Sequence, residues 1–229
     1  MSIAENIAKI QQHVAQARKK SPDPNQPVTL VAVTKTRTPE QLNEVLATGQ
    51  SILGENRVQE LLDKYDAVNP GATWHIIGHL QSNKVKYITD KVALVHSLES
   101  KSLAEELNRR MTALGHPMDC LVQVNIADEE SKFGLAKDEV MPFLEMVSQM
   151  PGIHVRGLMN IAPFFEDTEQ VRPIFREMYQ LFQEIKAKQI PNIDMEILSM
   201  GMSHDYQVAV EEGANMIRVG RGVFAEKER

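Results

Sequence analysis

The stretch VTLVAVTKTRTPEQ, residues 28–41, contains a strand, a turn and the start of a helix. Val28, Leu30, Val31, Ala32 and Val33 form a near-continuous apolar run, the pattern of a strand covered on both faces. Thr38, Pro39 and Gln41 then mark a helix start: a hydroxyl at the N-cap, proline in the first turn, and a glutamine placed to close a capping box. Lys35 falls between the two, in the turn at the carboxyl end of the strand. Open α/β sheets and α/β barrels both carry their chemistry at that end.

The same unit recurs along the chain. Strand-like runs lie at 29–33, 51–54, 74–78, 93–98, 120–126, 154–159, 196–200 and 216–220. Helix-like segments separate them, at 39–49, 57–68, 82–90, 100–115, 137–149, 169–188 and 204–213. Parallel strands need crossovers, and helices supply them. Eight strand–helix units of this length read as an α/β fold, a TIM-type (β/α)8 barrel, with a doubly wound open sheet as the competing arrangement. Ahead of them, Ser2 and Glu5 form another capping box, and Ile3, Ile7, Ile10 and Val14 recur at helical spacing. Residues 2–20 therefore read as an extra N-terminal helix, and SPDPNQP at 21–27 as a turn. Composition shows no break, so residues 1–229 read as one domain, with the barrel over 28–229.

Composition excludes several classes. A net charge of −6 over 229 residues argues against a general nucleic-acid binder. The hydrophobic share of 42% and charged share of 24% are ordinary for a globular protein. Cys120, the only cysteine, cannot form an intrachain disulfide, which fits a reducing cytoplasm; it opens an apolar strand and reads as a small buried hydrophobe. MSIAENIAKI lacks the order of a signal peptide, and no apolar run is long enough to span a bilayer. No membrane partner is expected.

The segments that follow the strands are TKTRT, GENRVQE, GHLQSNK, HSLES, NIADEESKFG, MNIAP, GMSHD and GRG. A barrel gathers all of these ends on one rim. Strand alternation puts Val31, Val33 and Lys35 on one side. If that side is the interior, Lys35 points into the mouth, where its neutral amine can form an imine with an aldehyde. Arg218 shares a face with Met216 and Gly220 and, set among apolar neighbours, wants an anionic or acceptor partner. Gly201 allows an unusual turn, and Ser203 is placed to N-cap the next helix, whose exposed amides would favour phosphate. Gly220, Arg221 and Gly222 follow the last strand, where backbone can approach the same ion. Phosphate sites after strands seven and eight recur in such barrels.

Other residues read as structural. His75 and His79 are four apart but in a strand-to-loop context, with no metal motif, and read as core or rim histidines. The MGM stretch at 200–202 reads as core and loop packing, and DEE at 128–130 as a solvated loop, with Lys132 after it able to reach the mouth.

An imine-forming lysine after strand one and a phosphate site after strands seven and eight suggest pyridoxal 5′-phosphate. At this point a resemblance covers almost the whole chain. AVTKT, GENRVQE, WHIIGHLQSNK, VNIADEESKFGL, RGLM, LSMGMSHD and IRVGRGVF run in the order of the YggS/PLPBP (PROSC) family. These are single-domain proteins of pyridoxal phosphate homeostasis that share the barrel of alanine racemase. The resemblance implies that Lys35 carries the cofactor as a Schiff base and that Asn56 lines the pocket near the ring. It also implies that Met200, Ser203, Gly220 and Arg221 surround the phosphate through side chains or backbone amides, and that Arg218 faces the pyridine nitrogen. It brings His79, Asn83 and Lys132 near the site without defined roles. The chain varies from the family at the second position of GHLQSNK and at His204, and neither change removes one of these contacts.

The function so implied is a cytoplasmic, non-catalytic pyridoxal phosphate carrier, expected to act as a monomer, with apo-enzymes that need the cofactor as candidate partners. A pyridoxal-dependent amino-acid racemase is the alternative, and a sugar-phosphate barrel enzyme is the reading that ignores the resemblance. Racemisation needs a group on each face of the α-carbon. In two-domain alanine racemases the second is a tyrosine on a covering domain. Here Tyr65, Tyr87, Tyr179 and Tyr206 all fall in helix-like segments, and the chain ends nine residues after Gly220, so no such domain is expected.

Overall fold

The computed structural model describes residues 1–127 and 133–225. The reading of DEE at 128–130 and that of Lys132 lie outside the described residues. Eight strands form a closed barrel in chain order. They are β1 (Thr29–Val33), β2 (Ile52–Glu55), β3 (Thr73–Ile76), β4 (Val92–Leu98), β5 (Met118–Gln123), β6 (Ile153–Met159), β7 (Ile193–Ser199) and β8 (Met216–Val219). All neighbours are parallel, and β8 closes on β1 with Val31 opposite Arg218. The fold is thus the TIM-type barrel, and the open sheet is excluded because its edge strands would not pair.

The helices are α1 (Ile3–Ala17), α2 (Pro39–Ala47), α3 (Val58–Tyr65), α4 (Lys101–Leu114), α5 (Val140–Val147), α6 (Arg172–Lys188), α7 (Tyr206–Glu211) and α8 (Arg221–Phe224). Both expected capping boxes form, Ser2 with Glu5 and Thr38 with Gln41. Helix α4 stops at Gly115, whose φ of 81° is the left-handed end that glycine tolerates. Residues 82–90, expected as an α-helix, instead hold a 3-10 helix over Ser82–Tyr87. That crossover is too short to give an α-helix a full apolar stripe.

Two apolar layers hold the barrel together. Leu30, Ala32, Leu53, Trp74, Ile76, Val95, Cys120, Val155 and Ile217 face outward under the helices. Val31, Val33, Ile77, Leu94, Leu121, Met159 and Met216 fill the interior. Cys120 is a fully buried thiol whose ionisation burial pushes up strongly, so it is inert. At the amino end, the strand faces opposite Ile153 and Val155 carry charges instead. His154 lies 3.0 Å from Asp119 and 2.7 Å from Asp194, and Arg156 pairs with Asp119 and Glu196. The barrel is closed below by this ionic layer and packed in the middle, which leaves the carboxyl end as the place for a ligand. Among the described residues no helix is long and apolar enough to cross a membrane.

Candidate functional site

Val31 and Val33 do face the interior, so the next residue of that alternation, Lys35, rises into the mouth. There it lines a cavity of about 190 Å³ with Ser203, Arg218, Gly220 and Arg221. Five of the expected site residues, from the ends of β1, β7 and β8, thus converge on one space. Among the described residues Lys35 has no hydrogen-bond or ion-pair partner of its own.

The phosphate side is arranged differently from expectation. Ser203 does not cap α7; the cap position is Asp205, and α7 is only six residues long. The Ser203 hydroxyl oxygen instead accepts from the backbone amides of Gly220, at 3.2 Å, and Gly222, at 3.4 Å. The loops after β7 and β8 are therefore joined by the donors an anion would use. The reason is the tight turn at Gly201, with φ of 91°, which carries the chain past Ser203 before the helix begins. Asp205 receives the Met202 amide at 2.6 Å, and burial raises its carboxyl above the usual range while Arg218 pulls it down.

Arg218 is 3% exposed and lies at the base of the cavity. Its guanidinium donates to Ser199 Oγ and to the Asn160 carbonyl, both at 2.7 Å. Burial lowers it to about 10, so it stays charged at neutral pH. Behind Ser199 stand two buried histidines. His96 Nδ1 is 3.2 Å from Ser199 Oγ, and His96 Nε2 is 3.0 Å from His75 Nδ1.

Met200 is fully buried in the layer beneath the helices and does not line the cavity; Met202 does. Asn56 and His79 line a neighbouring depression of about 470 Å³, together with Lys84 and Phe133. His79 pairs with Glu99 at 2.5 Å and stacks on Phe133 at 4.2 Å. Asn83 is exposed and lines neither space. A third cavity, about 380 Å³, opens under α1 at the amino ends of β1 and β2, away from this chemistry.

Sequence reading missed Ser199, His96, Asn160 and the exposed Phe164 beside Lys35. His96 could have been found, because it shares a face with Leu94 one alternation nearer the mouth. Asn160 could not, since its part is played by its carbonyl.

The alanine racemase N-terminal domain family matches residues 3–227. A pyridoxal phosphate homeostasis protein of Aquifex aeolicus (strain VF5) is 38% identical over 229 residues, which is 100% of both chains. Another, from Pasteurella multocida (strain Pm70), is 33% identical over 100% of this chain and 99% of its own. The structure of PipY from Synechococcus elongatus PCC7942, solved with PLP bound, superposes with a TM-score of 0.85. It is 34% identical and covers 98% of this chain and 100% of its own.

Proposed function

This chain belongs to the alanine racemase N-terminal domain family, among its pyridoxal phosphate homeostasis proteins, and on that premise we propose how its barrel holds the cofactor. It is a pyridoxal-phosphate-binding protein of cofactor homeostasis. The observation that carries the site assignment is the convergence of Lys35, Ser203, Arg218, Gly220 and Arg221 on one cavity. The donor set fits the group: a primary amine on one wall, a hydroxyl and backbone amides on another, a guanidinium at the base. When bound, the cofactor supplies an aldehyde that a neutral lysine amine attacks with loss of water. Lys35 is the amine placed for this. Ser203 and Arg221 would hold the phosphate, joined by the Gly220 and Gly222 amides if these turn from the Ser203 oxygen, and Arg218 would face the ring nitrogen.

Two features support a carrier over an enzyme. Arg218 is donor-only and buried, so it favours an unprotonated ring nitrogen, which is a poorer electron sink. None of the tyrosines lines the cavity. Tyr206, the nearest in sequence, spends its hydroxyl on His13 of α1 at 2.8 Å. Delivery to apo-enzymes and a cytoplasmic setting belong to the same proposal, the second supported by the reduced, buried Cys120.

Purified protein given pyridoxal phosphate should gain a visible absorption band that borohydride abolishes, leaving the cofactor fixed to Lys35 by mass spectrometry. Lys35→Ala should lose the covalent adduct and keep weaker binding through the phosphate contacts. An adduct surviving in that variant would move attachment to another lysine, Lys84 or Lys132 first. With L-alanine, turnover near the usual enzyme range of roughly 1–1000 per second, lost in Lys35→Ala, would overturn the carrier reading.

A further inference from the structure

The Lys35 turn is held from behind by a polar assembly that does not line the cavity. Thr34, Lys35, Thr36 and Arg37 form a reverse turn closed by the Arg37 amide on the Thr34 carbonyl at 3.1 Å. Thr36 is left-handed, with φ of 62°. A β-branched residue adopts that conformation only at an energetic cost, and such strain persists where surrounding contacts impose it.

Those contacts come from β2 and α3. Lys64 Nζ donates to the Thr34 carbonyl at 2.9 Å and to Glu55 Oε1 at 2.7 Å. The same Glu55 oxygen accepts from Thr34 Oγ1 at 2.7 Å. Glu60 Oε2 accepts from the strained Thr36 amide at 3.0 Å and lies 3.6 Å from Lys64. Glu55 is fully buried and Lys64 nearly so. The Thr34 carbonyl and the Thr36 amide, on either side of Lys35, are thereby held by α3, and Lys35 itself lines the cavity.

A buried ion pair is a weak source of stability, because desolvation offsets its attraction. Its value here is directional. We propose that Glu55, Lys64 and Glu60 are positioning residues that hold the Thr34–Lys35–Thr36 turn so that the Lys35 amine meets the aldehyde carbon of its ligand. This rests on the reading of Lys35 as the attachment residue. Misplacing a reacting atom by about 1 Å can slow a bond-forming step by about 100-fold, while contacts elsewhere on the ligand are untouched.

The test compares two ligands that share a ring and a phosphate. Pyridoxal phosphate has the aldehyde; pyridoxine 5′-phosphate does not. In the double variant Glu55→Gln with Lys64→Met, and separately in Glu60→Ala, the rate of borohydride-trappable attachment should fall about 10- to 100-fold. Affinity for pyridoxine phosphate should stay within about twofold, since RT ln 2 is below the value of a single contact. Glu60→Gln, which keeps an acceptor, should restore the rate. In the cofactor-free protein, Glu60→Ala should also speed hydrogen exchange at the Thr36 amide. If the double variant fails to fold, Glu60→Ala carries the test, its side chain being 29% exposed. Unchanged attachment rates, or equal losses for both ligands, would overturn the positioning role. Failure of wild-type protein to attach at Lys35 would show instead that the cofactor reading is wrong, and the positioning role falls with it.

Discussion

Arg218 donates to Ser199 Oγ at 2.7 Å, and that bond heads a row of buried hydrogen bonds that continues to two histidines. A guanidinium has no acceptor, so the serine oxygen receives; it keeps a second lone pair and its own proton, and so can bond His96 Nδ1, 3.2 Å away, in either direction. His96 Nε2 and His75 Nδ1 are paired at 3.0 Å, one ring donating and the other accepting. Both rings are neutral in this chain. The row crosses the barrel from β8 through β7 to β4 and β3 and ties the base of the cavity to its far wall.

Neutral buried histidines make stability depend on pH. Burial lowers His75 from 6.5 to about 4, and burial holds His96 well below the usual range, helped by the repulsion a proton there would feel from a protonated His75 and from Arg218. Between those values the unfolded chain binds protons that the folded barrel refuses, so stability is present above pH 6.5 and falls as pH drops toward 4. His75 alone accounts for about 3 kcal/mol over that window. Denaturant unfolding at pH 7.5, 6 and 5 reads the slope. His75→Gln with His96→Gln should flatten it, and a flat wild-type profile would mean that the rings are charged when folded.

Arg218 should keep the ring nitrogen of bound cofactor unprotonated. Nitrogen-15 labelled pyridoxal phosphate bound to the protein should show the chemical shift of a neutral pyridine. A pyridinium shift would remove Arg218 from that contact. Arg218→Lys should also lower stability by about 1–3 kcal/mol, because Arg218 reaches Ser199 and the Asn160 carbonyl from two separate nitrogens of a rigid fork, which a lysine with one nitrogen does not reproduce.

Ser203→Ala combined with Arg221→Ala should weaken pyridoxal phosphate far more than pyridoxal. Each charge-assisted contact to a phosphate is worth roughly 1.5–3 kcal/mol, about tenfold or more in affinity. Titration of the two ligands gives the ratio. Discrimination equal to wild type would place the phosphate elsewhere.

Gly201→Ala should damage both fold and phosphate binding. A Cβ there would stand 2.5 Å from the Ala209 Cβ and 2.9 Å from the Tyr206 Cα, at a φ of 91°. Strain and overpacking together cost about 2–5 kcal/mol. The melting temperature should fall, and pyridoxal phosphate affinity should fall more than that of pyridoxal, because this turn delivers Ser203 to the Gly220 and Gly222 amides. A variant as stable as wild type would show that the turn can move.

Much of the site was legible because its residues obey period-two alternation. Val31, Val33 and Lys35 are one face of one strand, and Met216, Arg218 and Gly220 one face of another, so their convergence followed once the sheet was a barrel. Ser203 was legible as a residue but not in its role. Whether a serine caps a helix depends on where the helix starts, and the Gly201 turn set that start at Tyr206. Met200 shows the opposite case, a residue in the right motif whose side chain alternation sends under the helices.

The sequence by itself determined the eight strand–helix units, both capping boxes and the strand end that carries Lys35. These depend on apolar period and on hydrogen bonds reaching only a few residues along the chain. Only the tertiary structure decided that Glu55 and Lys64 lie behind the Lys35 turn, and that Arg218, Ser199, His96 and His75 form one row. Those contacts span from 9 residues for Glu55 and Lys64 to 103 for His96 and Ser199. No local pattern records a partner at such distances. The pairings follow from the stagger of the strands when the barrel closes, which brings buried donors and acceptors within reach and leaves them no water to bond instead.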